Sequence, residues 1–253
     1  MLEISGTIGM QVRGPEMVRT IKALREDHRV EAVVVEIDSG GGSAPVSDMI
    51  FRALQRLGKK KPVVAFVGSS ALSGGYLIAC AAQKIVAMPT SLVGSIGVIF
   101  TRPVFEELMA KVGVKMVMTH EGKLKAMFQP WREPTPEEQE KIQDLTAEYY
   151  EWFVNSVAAS RDLDVKKVRE VATGEMFSAV RGKEAGLVDE LGDFERALDL
   201  AKELAGATEM PRIQWVRPRR TLLERVLARG STAMARALLW EAEERAQPRI
   251  DFR

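Results

Sequence analysis

A chain of 253 residues is long enough for one large α/β domain with a substantial core. Its 36 Lys and Arg balance 35 Asp and Glu, so no global charge argues for nucleic acid, and the single cysteine, Cys80, excludes an internal disulfide. The most apolar window, Tyr76 to Phe100, is broken by Gln83, Lys84 and Pro89, so no bilayer-spanning helix is expected.

Leu2 to Ile8 alternates apolar with small or polar residues, as a strand does, and Pro15 to Arg25 follows with helical spacing. Ala32 to Ile37 is a nearly continuous β-branched run, the pattern of a strand covered on both faces, and it leads into Asp38, Ser39, Gly40, Gly41 and Gly42. A helix is predicted over Val46 to Leu57, and a second buried strand over Pro62 to Val67, ending at Gly68. The next unit has the same form: a helix over Gly74 to Ala82, a strand over Ile85 to Met88 and a glycine-punctuated segment, Val93 to Ile99. Pro103 to Val112 reads as a helix and Val114 to Thr119 as a strand. Repeated β-turn-α units with short connections indicate an α/β fold with covered parallel strands, whose carboxyl-end turns are the usual place for a ligand.

Beyond Trp131 the chain turns helical. Thr135, Pro136 and Glu137 open a long helix with Ile142, Leu145, Tyr149, Trp152, Phe153 and Val157 on one stripe, expected to pack. A short helix over Val165 to Ala172, a loop at Gly174, a helix ending at Gly186 and a helix over Phe194 to Leu204 follow. The last segment, Arg219 to Glu244, interleaves apolar residues with arginines. It fits packing against the domain or another subunit, with peripheral membrane association as the alternative.

Histidine chemistry has little support. His28 lies at a solvated helix end, His120 follows a strand, and two histidines without metal-ligand spacing argue against zinc. No metal or cofactor is expected. Neither glycine run matches a phosphate- or dinucleotide-binding motif. Serine chemistry without histidine needs another base that is neutral at working pH, and a desolvated lysine can be one.

Ser73 meets the first requirement. It follows a buried strand and precedes Gly74, Gly75 and an apolar helix, where backbone N–H groups are free to hold an oxyanion. A simple helix cap explains the same position, and Ser69 and Ser70 compete with it. Gly40 to Gly42 can aim further N–H groups at an anion, or can be a tight turn alone. Lys125, among Leu124, Ala126, Met127 and Phe128, is a candidate base, and Lys123 is an equal one at this level.

Three segments in order, "IDSGGGS", "SALSGGYLIACAAQKIVAMPTSLVGSIGV" and "HEGKLKA", resemble the signal peptide peptidase A (SppA) family, peptidase family S49. These serine peptidases are related in fold to the Clp protease subunit and the crotonases. The resemblance implies repeated ββα units in a peptidase domain over 1–205, with a C-terminal strand and helical extension over 206–253. It implies Ser73 as nucleophile, Lys125 as general base in the Gly-x-x-Lys context 52 residues later, and Ser95 as the residue that orients the lysine. Gly42 and Gly74 would supply the oxyanion N–H groups. Substrates would be apolar peptides such as signal-peptide remnants, and the assembly a homo-oligomer, an octamer by preference, with active sites shared between subunits.

Three departures stand out. Gly40 replaces a proline usual in the family's turn, Leu124 replaces an aromatic residue, and the usual N-terminal membrane anchor is not seen, so a soluble member or a trimmed chain is expected although the resemblance implies membrane association. The rival readings are a crotonase-like acyl-CoA enzyme, which would need neither Ser73 nor Lys125, and a non-catalytic oligomeric scaffold.

Overall fold

Seven short strands and eight helices follow one another in the computed structural model, which describes residues 1–208 and 212–216. The expected helix over Arg219 to Glu244 lies outside the described residues.

The first half is built as the local patterns predict. β1 (Leu2–Ser5), α1 (Gly14–Glu26), β2 (Val33–Ser39), α2 (Ala44–Gly58), β3 (Val63–Leu72), α3 (Gly74–Ala79) and β4 (Lys84–Ala87) form successive strand-turn-helix units. Pro15 and Pro45 sit in the first turns of α1 and α2, where a missing N–H costs nothing. The remaining elements are β5 (Leu92–Gly94), α4 (Glu106–Lys111), α5 (Pro136–Arg161), α6 (Val165–Val171), β6 (Met176–Ser178), α7 (Ala179–Glu184), β7 (Glu190–Leu191) and α8 (Phe194–Ala205).

The sheet runs β1-β2-β3-β4-β7, all parallel, with β5 parallel to β3 and β6 antiparallel to β5. Because side chains alternate across a strand, Val33, Val35, Ile37, Val63, Ala65 and Val67 enter the large core with Ile21, Leu54, Leu57 and Ile78. Val34, Val64, Phe66 and Val86 meet Ala197, Leu200 and Ala201 of α8 on the other face. Helices on both faces of a mainly parallel sheet are the α/β class expected. Residues 212–216 run beside β1, where the Val216 N–H donates to the Met1 carbonyl at 2.8 Å.

Four local expectations need correction. β3 does not stop at Gly68; it continues to Leu72 because it changes neighbour, pairing with β4 through Val67 and with β5 from Ser70. The helix expected over Pro103 to Val112 contracts to α4, and Val114 to Thr119 is unpaired and exposed. A strand needs a partner for its N–H and C=O groups, and among the described residues none lies beside this segment. In the long helix, Phe153 and Val157 are buried but Tyr149 is exposed. At 26 residues the helix is ~39 Å long, more than the core can cover.

Candidate active site

Ser73 stands where the far half of β3 meets α3, and its backbone is forced there. Its φ of 50° and ψ of −120° form a conformation that an L-residue adopts only at a cost, of order 1–3 kcal/mol. The surroundings hold it: the Ser73 N–H donates to the Gly94 carbonyl at 2.9 Å, and the Ser73 carbonyl accepts from Leu77 N–H at 3.0 Å. Although Ser73 occupies the cap position of α3, its side chain makes no capping hydrogen bond. The hydroxyl is left unused among the described residues.

Ser95 shares this geometry. Leu72 and Gly94 are register partners, so Ser73 and Ser95 are the next residues on adjacent strand ends, ~5 Å apart at strand spacing. Ser95 also has a φ of 50°, and its N–H donates to the Glu175 carbonyl at 2.8 Å. Among the described non-glycine residues only Asp162, at the end of α5, joins these two at positive φ.

The glycine loop after β2 approaches the same point. A Cβ on Gly41 would lie 2.8 Å from that of Ser73, so only glycine lets the loop come this close. Gly42 is bridged to Ile8: Ile8 N–H donates to the Gly41 carbonyl and Ser43 N–H to the Ile8 carbonyl, both at 2.9 Å. The Gly42 N–H takes no part in that bridge. Among the described residues it has no acceptor, and neither has the Gly74 N–H in the first turn of α3. Ser73, Ser95, Gly42 and Gly74 are thus gathered at the carboxyl ends of neighbouring strands.

Two buried serines that sequence reasoning passed over fix this arrangement. Ser39 Oγ donates to the Gly6 carbonyl at 2.7 Å and accepts from Gly41 N–H at 3.1 Å, tying the glycine loop to the end of β1. Ser47 is fully buried against Gly74, where any Cβ on the glycine would overlap its hydroxyl. Ser39 lay within the quoted "IDSGGGS" segment; nothing local distinguishes Ser47.

Lys125 is placed differently. It lies on the excursion between β5 and α5, exposed, and it makes no hydrogen bond to Ser73 or Ser95 within the chain. Its neighbours Ala126 and Met127 are buried in the excursion, so the desolvation expected from apolar company is not supplied to the lysine itself. Lys123 pairs with Glu137 at 2.7 Å, whereas the Lys125 amine has no ion-pair partner among the described residues.

The far end of α3 is inert by comparison. Cys80 is buried, and burial pushes its thiol up to about 12. A shallow depression of about 550 Å³ near it, lined by Arg52, Arg56, Lys59 and Gln83, includes none of the four gathered residues.

A strained serine at a strand-to-helix turn, with unpaired backbone N–H groups nearby, is an arrangement that can present a hydroxyl and oxyanion donors together. Residues 55–208 match the model of peptidase family S49, and the chain belongs to that family of serine peptidases. It is 38% identical to a candidate protease of Synechocystis sp. over 81% of this chain and 73% of that protein. It is 34% identical to a chloroplastic serine protease SPPA of Arabidopsis thaliana over 79% of this chain and 30% of that one. A candidate signal peptide peptidase SppA of Enterococcus faecium is 34% identical over 77% of this chain and 57% of its own length. The chain thus spans less than two thirds of the Arabidopsis and Enterococcus relatives.

Proposed function

We propose that the chain is a serine endopeptidase that cleaves extended apolar peptides with Ser73 and Lys125. The observation that carries the reading is the strained Ser73, its hydroxyl unbonded among the described residues, with the unpaired Gly74 N–H next to it in the chain and the glycine loop packed against it. Neutral Lys125 takes the Ser73 proton as Oγ attacks the peptide carbonyl carbon, and the oxyanion is received by the Gly42 and Gly74 N–H groups. Lys125 then passes the proton to the leaving amine as the C–N bond breaks. Water, deprotonated by the same amine, hydrolyses the acyl-enzyme and frees Ser73. Ser95 accepts a hydrogen bond from the amine and orients it.

The lysine comes from a neighbouring copy in this reading. The excursion that bears it exposes Ile99 and Val117 at 90% and 92%, with Leu108 and Val112 also open to solvent, an apolar surface that suits a homo-oligomeric contact. An octamer with shared sites, acting on signal-peptide remnants at a membrane, is the form that the family resemblance favours. No helix among the described residues is long and apolar enough to cross a membrane.

Peptide hydrolysis by wild type, Ser73→Ala and Lys125→Ala tests the dyad. Ser73→Ala is expected to fall to background, and Lys125→Ala to a small but measurable residual rate. Mixing the two variants under conditions of subunit exchange restores part of the activity, because one copy supplies serine and the other lysine. Full activity in either single variant refutes the dyad, and no recovery on mixing refutes the sharing.

A further inference from the structure

The excursion between β5 and α5 is organised around the two peptide groups that follow Lys125. Arg132 grips Glu138 with both terminal nitrogens, one bond being 2.8 Å, and the same side chain donates to the Ala126 carbonyl at 3.1 Å. Arg102 donates to the next carbonyl, Met127, at 2.6 Å, and reaches the Arg132 carbonyl at 3.5 Å. On the other side, Lys125 N–H donates to the Gly122 carbonyl at 3.1 Å. The lysine backbone is therefore pinned from both directions while its side chain is left free.

Glu138 is the only buried acid among the described residues, 3% exposed. It closes the capping box of α5 by accepting from Thr135 N–H at 2.9 Å. A cap does not require this charge, since a neutral glutamine can close the same box. A buried ion pair is also weak evidence of stability by itself, because desolvation offsets much of its attraction. What the pair does here is hold a bidentate guanidinium at the start of α5 so that the second N–H of each terminal nitrogen reaches a backbone carbonyl, Nη1 that of Glu133 at 2.9 Å and Nη2 that of Ala126.

We infer that Arg132, seated on Glu138, is a positioning residue for Lys125, fixing the backbone from which the amine reaches the serine. This rests on the dyad reading above. An exposed lysine on an otherwise thinly packed excursion has many rotamers and a mobile base, and a displacement of about 1 Å in a catalytic group can cost ~100-fold in rate. The arginine anchor removes the backbone share of that freedom and leaves the side chain able to enter a neighbouring site.

The test uses the full chain and a peptide substrate, with Arg132→Met, Lys125→Ala and the double variant. Arg132→Met is expected to lower kcat by roughly 10–100-fold with KM within about threefold, since substrate contacts are untouched. In the Lys125→Ala background the same change lowers the residual rate by less than about twofold, because no amine is left to position. Glu138→Gln, which retains the cap, gives the same pattern in weaker form and takes the place of Arg132→Met if that variant does not fold. Wild-type kcat in the folded variant, a rise in KM alone, or full multiplication of the losses in the double variant overturns the inference. If Lys125→Ala is itself fully active, the dyad has failed instead, so the two failures are separable.

Discussion

Replacing Ser73 by alanine and by glycine separates the chemistry of this residue from its backbone. Alanine removes the hydroxyl but keeps Cβ, so the strain at φ 50°, ψ −120° remains; glycine removes both. Relief is worth of order 1–3 kcal/mol, less about 0.4–1 kcal/mol for the greater freedom glycine gives the unfolded chain. The hydroxyl has no hydrogen-bond partner among the described residues, so its loss adds little to either variant. Ser73→Gly is therefore expected to be more stable than Ser73→Ala by about 0.5–2 kcal/mol. For a domain of this size that raises Tm by roughly 1–8 °C. Paired thermal unfolding by calorimetry or circular dichroism reads the difference, with both variants inactive on peptide. Equal melting temperatures, or a lower one for glycine, would show that the turn stores no strain.

The glycine loop and the acid clamp give two more expectations. Gly42→Ala puts Cβ into the Ile8 carbonyl oxygen at a φ of +146°, so it breaks the bridge to Ile8 and its two hydrogen bonds. A loss of about 2–4 kcal/mol in chemical denaturation should accompany loss of activity, and unchanged stability would contradict it. Arg132 holds the Glu138 carboxyl down at about 2, against an ordinary 4.5. A depressed acid stabilises the fold fully above its ordinary value and loses that contribution as pH falls toward about 2. Trp131 fluorescence should report the excursion loosening over that window, and Glu138→Gln should abolish the transition.

The parts of the fold that depend on local pattern were readable, and those that depend on pairing were not. Helical spacing in α1, α2 and α8 and the β-branched runs of β2 and β3 announce themselves within a few residues. The extension of β3 through Gly68, Ser69 and Ser70 is decided by β5, which supplies the partner, and β6 exists only because Phe177 meets Val93. Val114, Met116 and Val117 carry an apolar strand-like pattern, yet they are open to solvent. In the site, the Ser-Gly-Gly turn was visible as a motif. The matched strain at Ser73 and Ser95 was not, because positive φ in a serine is imposed by neighbours such as Glu175 and Gly94. Local chemistry could not separate Lys123 from Lys125, and the ion pair to Glu137 that distinguishes them lies a dozen residues on, at the start of α5.

The helix behind Ser73 is tied to a distant part of the chain. The buried Tyr76 hydroxyl donates to the Leu187 carbonyl at 2.9 Å, across 111 residues. Asp189 accepts from Ile85 N–H at 2.8 Å and pairs with Arg161, also at 2.8 Å. On a ribosome, then, the serine turn is translated early but cannot be set until residues near 190 have emerged from the exit tunnel. A nascent chain halted before that point carries Ser73 without its frame. The frame around Ser73 is therefore completed only by the second half of the chain.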